Sequence, residues 1–245
     1  MKKILIIAAM VAATSCSFIR INDQALSDAI REGIADGNVI VSTNSGPRVT
    51  ASRTTVTRSF DLEPFDRIQV DFACDVKYEV GEPSVQVTIP DNLEQYFKAD
   101  VSGGRLYLRI EGVRLRNSGN SELIVRTPVL RGIELNGAGD IEMDRGIVSD
   151  NLVITVNGAG DIDIDGADIS ETLKVEVNGA GDIDVDKVEC SKLVVAVNGA
   201  GDCEVSGHAG FADLSISGVG SINATELVAD DMRSSVDGVG KVHRK

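Results

Sequence analysis

Asn136-Gly137-Ala138-Gly139-Asp140 decides the fold, because the same five residues return at Asn157–Asp161, Asn178–Asp182 and Asn198–Asp202. Two looser copies follow, Ser-Gly-Val-Gly-Ser at Ser217–Ser221 and Asp-Gly-Val-Gly-Lys at Asp237–Lys241. First positions are spaced by 21, 21, 20, 19 and 20 residues, a period that marks a stacked repeat architecture. Before each corner, apolar residues alternate with period two, as in Leu152/Ile154/Val156, Leu173/Val175/Val177 and Leu193/Val195/Val197. The alternation resumes after it, in Ile162/Ile164, Ile183/Val185 and Cys203/Val205. Each copy therefore reads as strand, glycine corner, strand. One such unit cannot bury its own apolar face, whereas units stacked ~4.8 Å apart merge those faces into continuous ladders. The expectation is an all-β chain, a single-stranded parallel β-solenoid (β-helix) with coils of about 20 residues, regular over 133–245.

Working outward, Phe65–Val76 reads as a degenerate first coil, with Asp71 to Asp75 in the corner register and Phe72 in place of a glycine. Val85–Ile89 and Arg105–Ile110 read as longer strands that widen this end into an irregular, strand-rich N-terminal cap. Such a cap is needed because an open solenoid end exposes unpaired strand edges. At the other end Lys241, His243, Arg244 and Lys245 put charge on the last coil, which discourages edge-to-edge pairing. The solenoid domain is thus expected over 54–245 and a tether over 16–53, with a weak helix at Gln24–Ile34. A strand at Asn38–Thr43 is the alternative for part of that tether.

Lys2 and Lys3 precede an apolar run from Ile4 to Ala13, and Thr14-Ser15-Cys16 follows. That order describes a signal peptide, residues 1–15, too short to span a bilayer as a helix. Small residues ending at a cysteine match a bacterial lipobox, so Cys16 is the expected lipidation site and the lipid the expected membrane anchor. Cleavage would take the net charge from −14 to −16. The expected location is the cell envelope, as an outer-membrane lipoprotein, with the periplasmic and surface faces both open.

Composition narrows function further. A pI near 4.5 and an aromatic content of 4% without tryptophan exclude phosphate-backbone binding and base-stacking platforms, so no nucleic-acid partner is expected. Acidic residues alternate with apolar ones after each corner: Asp140/Glu142/Asp144, Asp161/Asp163/Asp165, Asp182/Asp184/Asp186 and Asp202/Glu204. Residues 136–206 hold 16 acidic side chains against Arg145, Lys174, Lys187 and Lys192. Stacking aligns Asp140, Asp161, Asp182 and Asp202 in one column, with Asp163 and Asp184 in the next. Carboxylates ~5 Å apart in water repel by roughly 1 kcal/mol per pair before screening. Three readings answer that repulsion: a solvated face that keeps a sheet-rich protein soluble, a cation site suited to Ca²⁺, or a face for a basic protein partner. The nonapeptide Ca²⁺ repeat does not fit, since Ile162 stands where it needs Asp and the period is not nine. No cofactor is otherwise implied. The column Asn136, Asn157, Asn178 and Asn198 reads as a ladder of stacked amides, with glycan binding as its functional alternative.

The run from Phe65-Asp66-Arg67-Ile68, through paired strands and glycine coils, to Gly238-Val239-Gly240-Lys241-Val242 resembles the head GIN domain family. These are bacterial envelope proteins associated with autotransporter adhesins, and the resemblance covers roughly residues 54–245. It implies a β-solenoid lipoprotein or secreted protein without established chemistry, serving as an adhesin-like binding or structural module. The alternative is a polysaccharide-active β-helix enzyme using surface carboxylates, but such chemistry needs two acids in different environments. Here one acid recurs in every coil, so no catalytic residue is assigned. His208 reads as a loop residue and His243 as part of the tail. Cys74, Cys190 and Cys203 leave an odd count after Cys16, with a Cys190–Cys203 pairing left open, as is self-association.

Overall fold

The computed structural model describes residues 47–117, 119–144 and 146–244; the signal peptide, Cys16, Gln24–Ile34 and Asn38–Thr43 lie outside the described residues. Among the described residues, sixteen strands follow in chain order. The first nine are β1 (Arg48–Thr50), β2 (Thr55–Asp61), β3 (Arg67–Val70), β4 (Asp75–Val80), β5 (Ser84–Pro90), β6 (Phe97–Ser102), β7 (Arg105–Ile110), β8 (Arg114–Asn117) and β9 (Glu122–Thr127). The regular coils contain β10 (Gly132–Ala138), β11 (Ile141–Met143), β12 (Ile147–Ala159), β13 (Ile162–Asp165), β14 (Ala167–Ala180), β15 (Ile183–Ala200) and β16 (Cys203–Arg244). A 3₁₀ helix, Asp91–Tyr96, joins β5 to β6.

The fold is a parallel β-solenoid, and its register follows the repeat. Ile133 pairs with Ile154, Ile154 with Val175, Val175 with Val195, and Val195 with Leu214. A second ladder runs Ile141, Ile162, Ile183 and Cys203. All of these side chains are buried, so each strand gives alternate residues to one core shared by every coil. The glycines are required by stacking. A Cβ on Gly158, at φ +149°, would lie 1.8 Å from the carbonyl oxygen of Gly137 in the coil beneath. Gly179 and Gly199 repeat that approach to Gly158 and Gly179. The motif is thus a place where consecutive coils touch backbone to backbone.

Phe65–Val76 does form a coil in the expected register, since Leu135 pairs with Val70 and Ile141 with Val76. The neighbouring strands differ from expectation. Arg105–Ile110 (β7) does not widen that coil but pairs in parallel beneath β3, and β9 pairs beneath β4. Together β7 and β9 make a further coil, later in sequence yet farther out in the stack. From Thr127 the chain must pass the first coil to reach β10 on its other side. That crossing is pinned by Thr127 Oγ1 donating to the Phe65 carbonyl (2.5 Å), Tyr78 Oη to the Thr127 carbonyl (2.9 Å) and the Arg131 N–H to the Asp66 carbonyl (2.7 Å). Val85–Ile89 sits in β5, which runs antiparallel to β9 and carries β2 antiparallel on its outer side. β6 covers β7 in the same manner. Antiparallel strands therefore end the parallel stack and cover the edges of its outermost coil, the cap expected on physical grounds. At the far end, the coil around Gly238 stacks on Gly218, and Lys241, His243 and Arg244 are exposed on it.

Candidate functional site

The corners and the strands after them set side by side four columns of polar side chains. The Asn column is a closed ladder: Asn157 Nδ2 donates to Asn136 Oδ1 (2.8 Å), Asn178 to Asn157 (2.9 Å) and Asn198 to Asn178 (2.8 Å). It extends into the degenerate coil, where Asn136 Nδ2 donates to Asp71 Oδ1 at 2.8 Å. These amides hold coil to coil.

The first acidic column is also a ladder, of a kind the sequence reading missed. The backbone N–H of Asp161 donates to Asp140 Oδ1 (2.9 Å), that of Asp182 to Asp161 (2.8 Å), and that of Asp202 to Asp182 (2.7 Å). Asp75 receives the N–H of Asp140 below, and Asp202 receives that of Ser221 above. Hydrogen bonds to an ionised acceptor are about twice as strong as neutral ones, which offsets the repulsion within the column. The signal was present in the Asp that follows the second glycine in four successive copies, where a corner leaves an N–H in need of an acceptor.

The remaining carboxylates form two outward columns, Glu142/Asp163/Asp184/Glu204 and Asp144/Asp165/Asp186, fixed by the pairings of β11, β13, β15 and β16. Lys77 Nζ reaches both Glu142 (3.2 Å) and Asp144 (3.1 Å) and closes the lower end. It stands two residues after Asp75, as Glu142 does after Asp140, so its place was legible once the degenerate coil was aligned. Lys187 pairs with Asp165 at 3.0 Å, Ser206 Oγ donates to Asp186 at 2.7 Å, and Asn223 Nδ2 donates to Glu204 at 3.1 Å. Asp163 and Asp184 have no cationic partner among the described residues. Partial burial, then the neighbouring carboxylates, raises both above the usual aspartate range. Among the described residues no three His, Cys, Asp or Glu side chains converge to hold a metal ion.

His208 is exposed, with Nδ1 3.7 Å from Glu189. Cys74, Cys190 and Cys203 are buried and free. Burial pushes the thiols of Cys190 and Cys203 up to about 11 and about 12, and that of Cys74 higher still, so none is a poised nucleophile.

Residues 64–171 and 165–243 match the family model described as "Putative auto-transporter adhesin, head GIN domain". The chain belongs to the head GIN domain family. No curated protein matches this member. Among solved structures, it is similar to a "putative adhesin" from Bacteroides fragilis NCTC 9343, with 23% identity and a TM-score of 0.65 over 80% of this chain and 100% of that one. A "putative lipid binding protein" from Parabacteroides distasonis ATCC 8503 aligns at 18% identity and a TM-score of 0.49, over 81% of this chain and 99% of the other. A "putative adhesin" from Parabacteroides merdae ATCC 43184 aligns at 18% identity and a TM-score of 0.47, over 81% and 99%. The first of these shows that the GIN fold is shared.

Proposed function

We propose that this GIN-domain protein is an outer-membrane lipoprotein, anchored through Cys16, whose solenoid is a non-catalytic, adhesin-like binding module for a basic protein surface. The observation that carries this reading is the outward row Glu142, Asp163, Asp184 and Glu204, whose two middle members lack a cation partner among the described residues. Like groups repeated at ~4.8 Å on a rigid support suit a partner with several cationic side chains. The Asn ladder favours this over a glycan reading, because its amides already bond one another. Catalysis is disfavoured by equivalence: Asp163 and Asp184 are shifted in the same direction, with burial as the leading cause for both, whereas acid–base pairs are driven apart.

Two measurements on the expressed protein test the reading. Cys16→Ser should move the chain from the membrane fraction to the soluble one, and unchanged retention after signal cleavage refutes the anchor. Immobilised polylysine should retain the protein in low salt, with retention falling steeply as NaCl rises. Asp163→Asn with Asp184→Asn should elute at clearly lower salt. Elution identical to the parent removes this row as the contact face.

A further inference from the structure

The N-terminal cap carries a second surface, unrelated to the acidic row. β2 lies at the edge of the sheet, yet its residues Val56, Arg58 and Phe60 pair with Ile89, Val87 and Val85. Directly paired residues of an antiparallel ladder project to the same side. Since Val85, Val87 and Ile89 are buried, the three β2 side chains face the core side of the cap. Between them, the 3₁₀ helix and β6 lies a cleft of about 290 Å³. Val56, Phe60, Val87, Ile89 and Phe97 give it apolar walls, and the Phe60 and Phe97 rings stand 5.7 Å apart.

Strand alternation calls for an apolar residue at position 58, and an arginine occupies it. Arg58 Nε donates to Glu94 Oε1 at 2.5 Å and Nη1 to the Thr57 carbonyl at 3.1 Å. Nη2 has no acceptor among the described residues. Lys98 lines the same cleft and has no ion-pair partner among those residues. Two cations and one carboxylate thus line an apolar cleft, on a chain whose net charge is −14.

We propose that this cleft binds a single-chain carboxylate amphiphile, its headgroup held by Arg58 with Lys98 on the same cleft and its alkyl chain laid against Val56 and Phe60. Arg58 presents the planar donors that match a carboxylate, and Glu94 occupies that position until the ligand displaces it. The volume is at the lower end of small-molecule pockets, ~300 Å³, which favours one short chain over a two-chain lipid.

Calorimetric titration of the full chain with hexanoate, octanoate and decanoate below their micellar concentrations tests this. Saturable one-to-one binding should tighten about fourfold per methylene. Octanol and octylammonium should bind at least tenfold more weakly than octanoate. Arg58→Gln should reduce octanoate to the affinity of octanol, while Glu94→Gln, which frees the guanidinium, should tighten octanoate severalfold. Circular dichroism melts of both variants establish that the cap remains folded. Absence of saturable binding, octanol as tight as octanoate, or weaker binding by folded Glu94→Gln each overturns the proposal. None of these readouts involves Asp163 or Asp184, so the cleft and the acidic row stand or fall separately.

Discussion

Single atoms govern the corners. A methyl group on Gly158 would overlap the Gly137 carbonyl, and relief would require two coils to part. Gly146 also has a positive φ, +94°, but no atom within 4 Å of the Cβ it would gain. The pair separates stacking from local strain. Gly158→Ala should cost ~3 kcal/mol or more, or abolish folding, whereas Gly146→Ala should cost only ~1–2 kcal/mol of backbone strain. Urea unfolding of both variants measures the difference, and equal losses would show that turn conformation alone fixes these glycines. The sequence places glycine at every corner without showing why it is needed there. The stacking cause is visible only when one coil is laid on the next.

At the level of the element, each corner behaves as a clamp whose carboxylate accepts the N–H of the coil above. Replacing Asp161, Asp182 and Asp202 together by Asn keeps an acceptor oxygen and removes three charges; replacing them by Ala removes the acceptor as well. The Asn variant should match or exceed the parent in low salt, and the Ala variant should lose about 1 kcal/mol per site. Scanning calorimetry checks the order, and equal stability of the two variants would dissolve the ladder argument. Coil strands, their inward faces and the register of Asp71–Asp75 were all legible, because period-two alternation and a fixed repeat determine them jointly. The cap was not. Val85–Ile89 and Arg105–Ile110 alternate like any half-buried strand, and alternation carries no information on whether the partner runs parallel or antiparallel. Lys77 went unassigned although that register already places it two residues after Asp75, in the column of Glu142.

For the molecule as a whole, stability should depend on the outward carboxylates. Asp163 and Asp184 hold their protons more tightly folded than unfolded, so the folded state binds more protons between the ordinary aspartate value of 3.8 and the raised values. Their contribution to stability therefore falls as pH rises through that window and is least favourable at neutrality. Asp163→Asn with Asp184→Asn should raise the melting temperature at pH 7 and flatten its dependence on pH above the ordinary aspartate value; an unchanged profile would mean that the two carboxylates are fully solvated. The cap strands and the crossing at Thr127–Arg131 fix one end of the stack, whereas the coils beyond β10 are interchangeable in outline. Excising residues 157–177 would join Val156 to Asn178 with every column still aligned, shortening the stack by one rung of ~4.8 Å. The protein is in this sense a ruler with a fixed stop at one end, graduated in whole coils, and lineages can lengthen or shorten it by duplication or loss without redesigning its core.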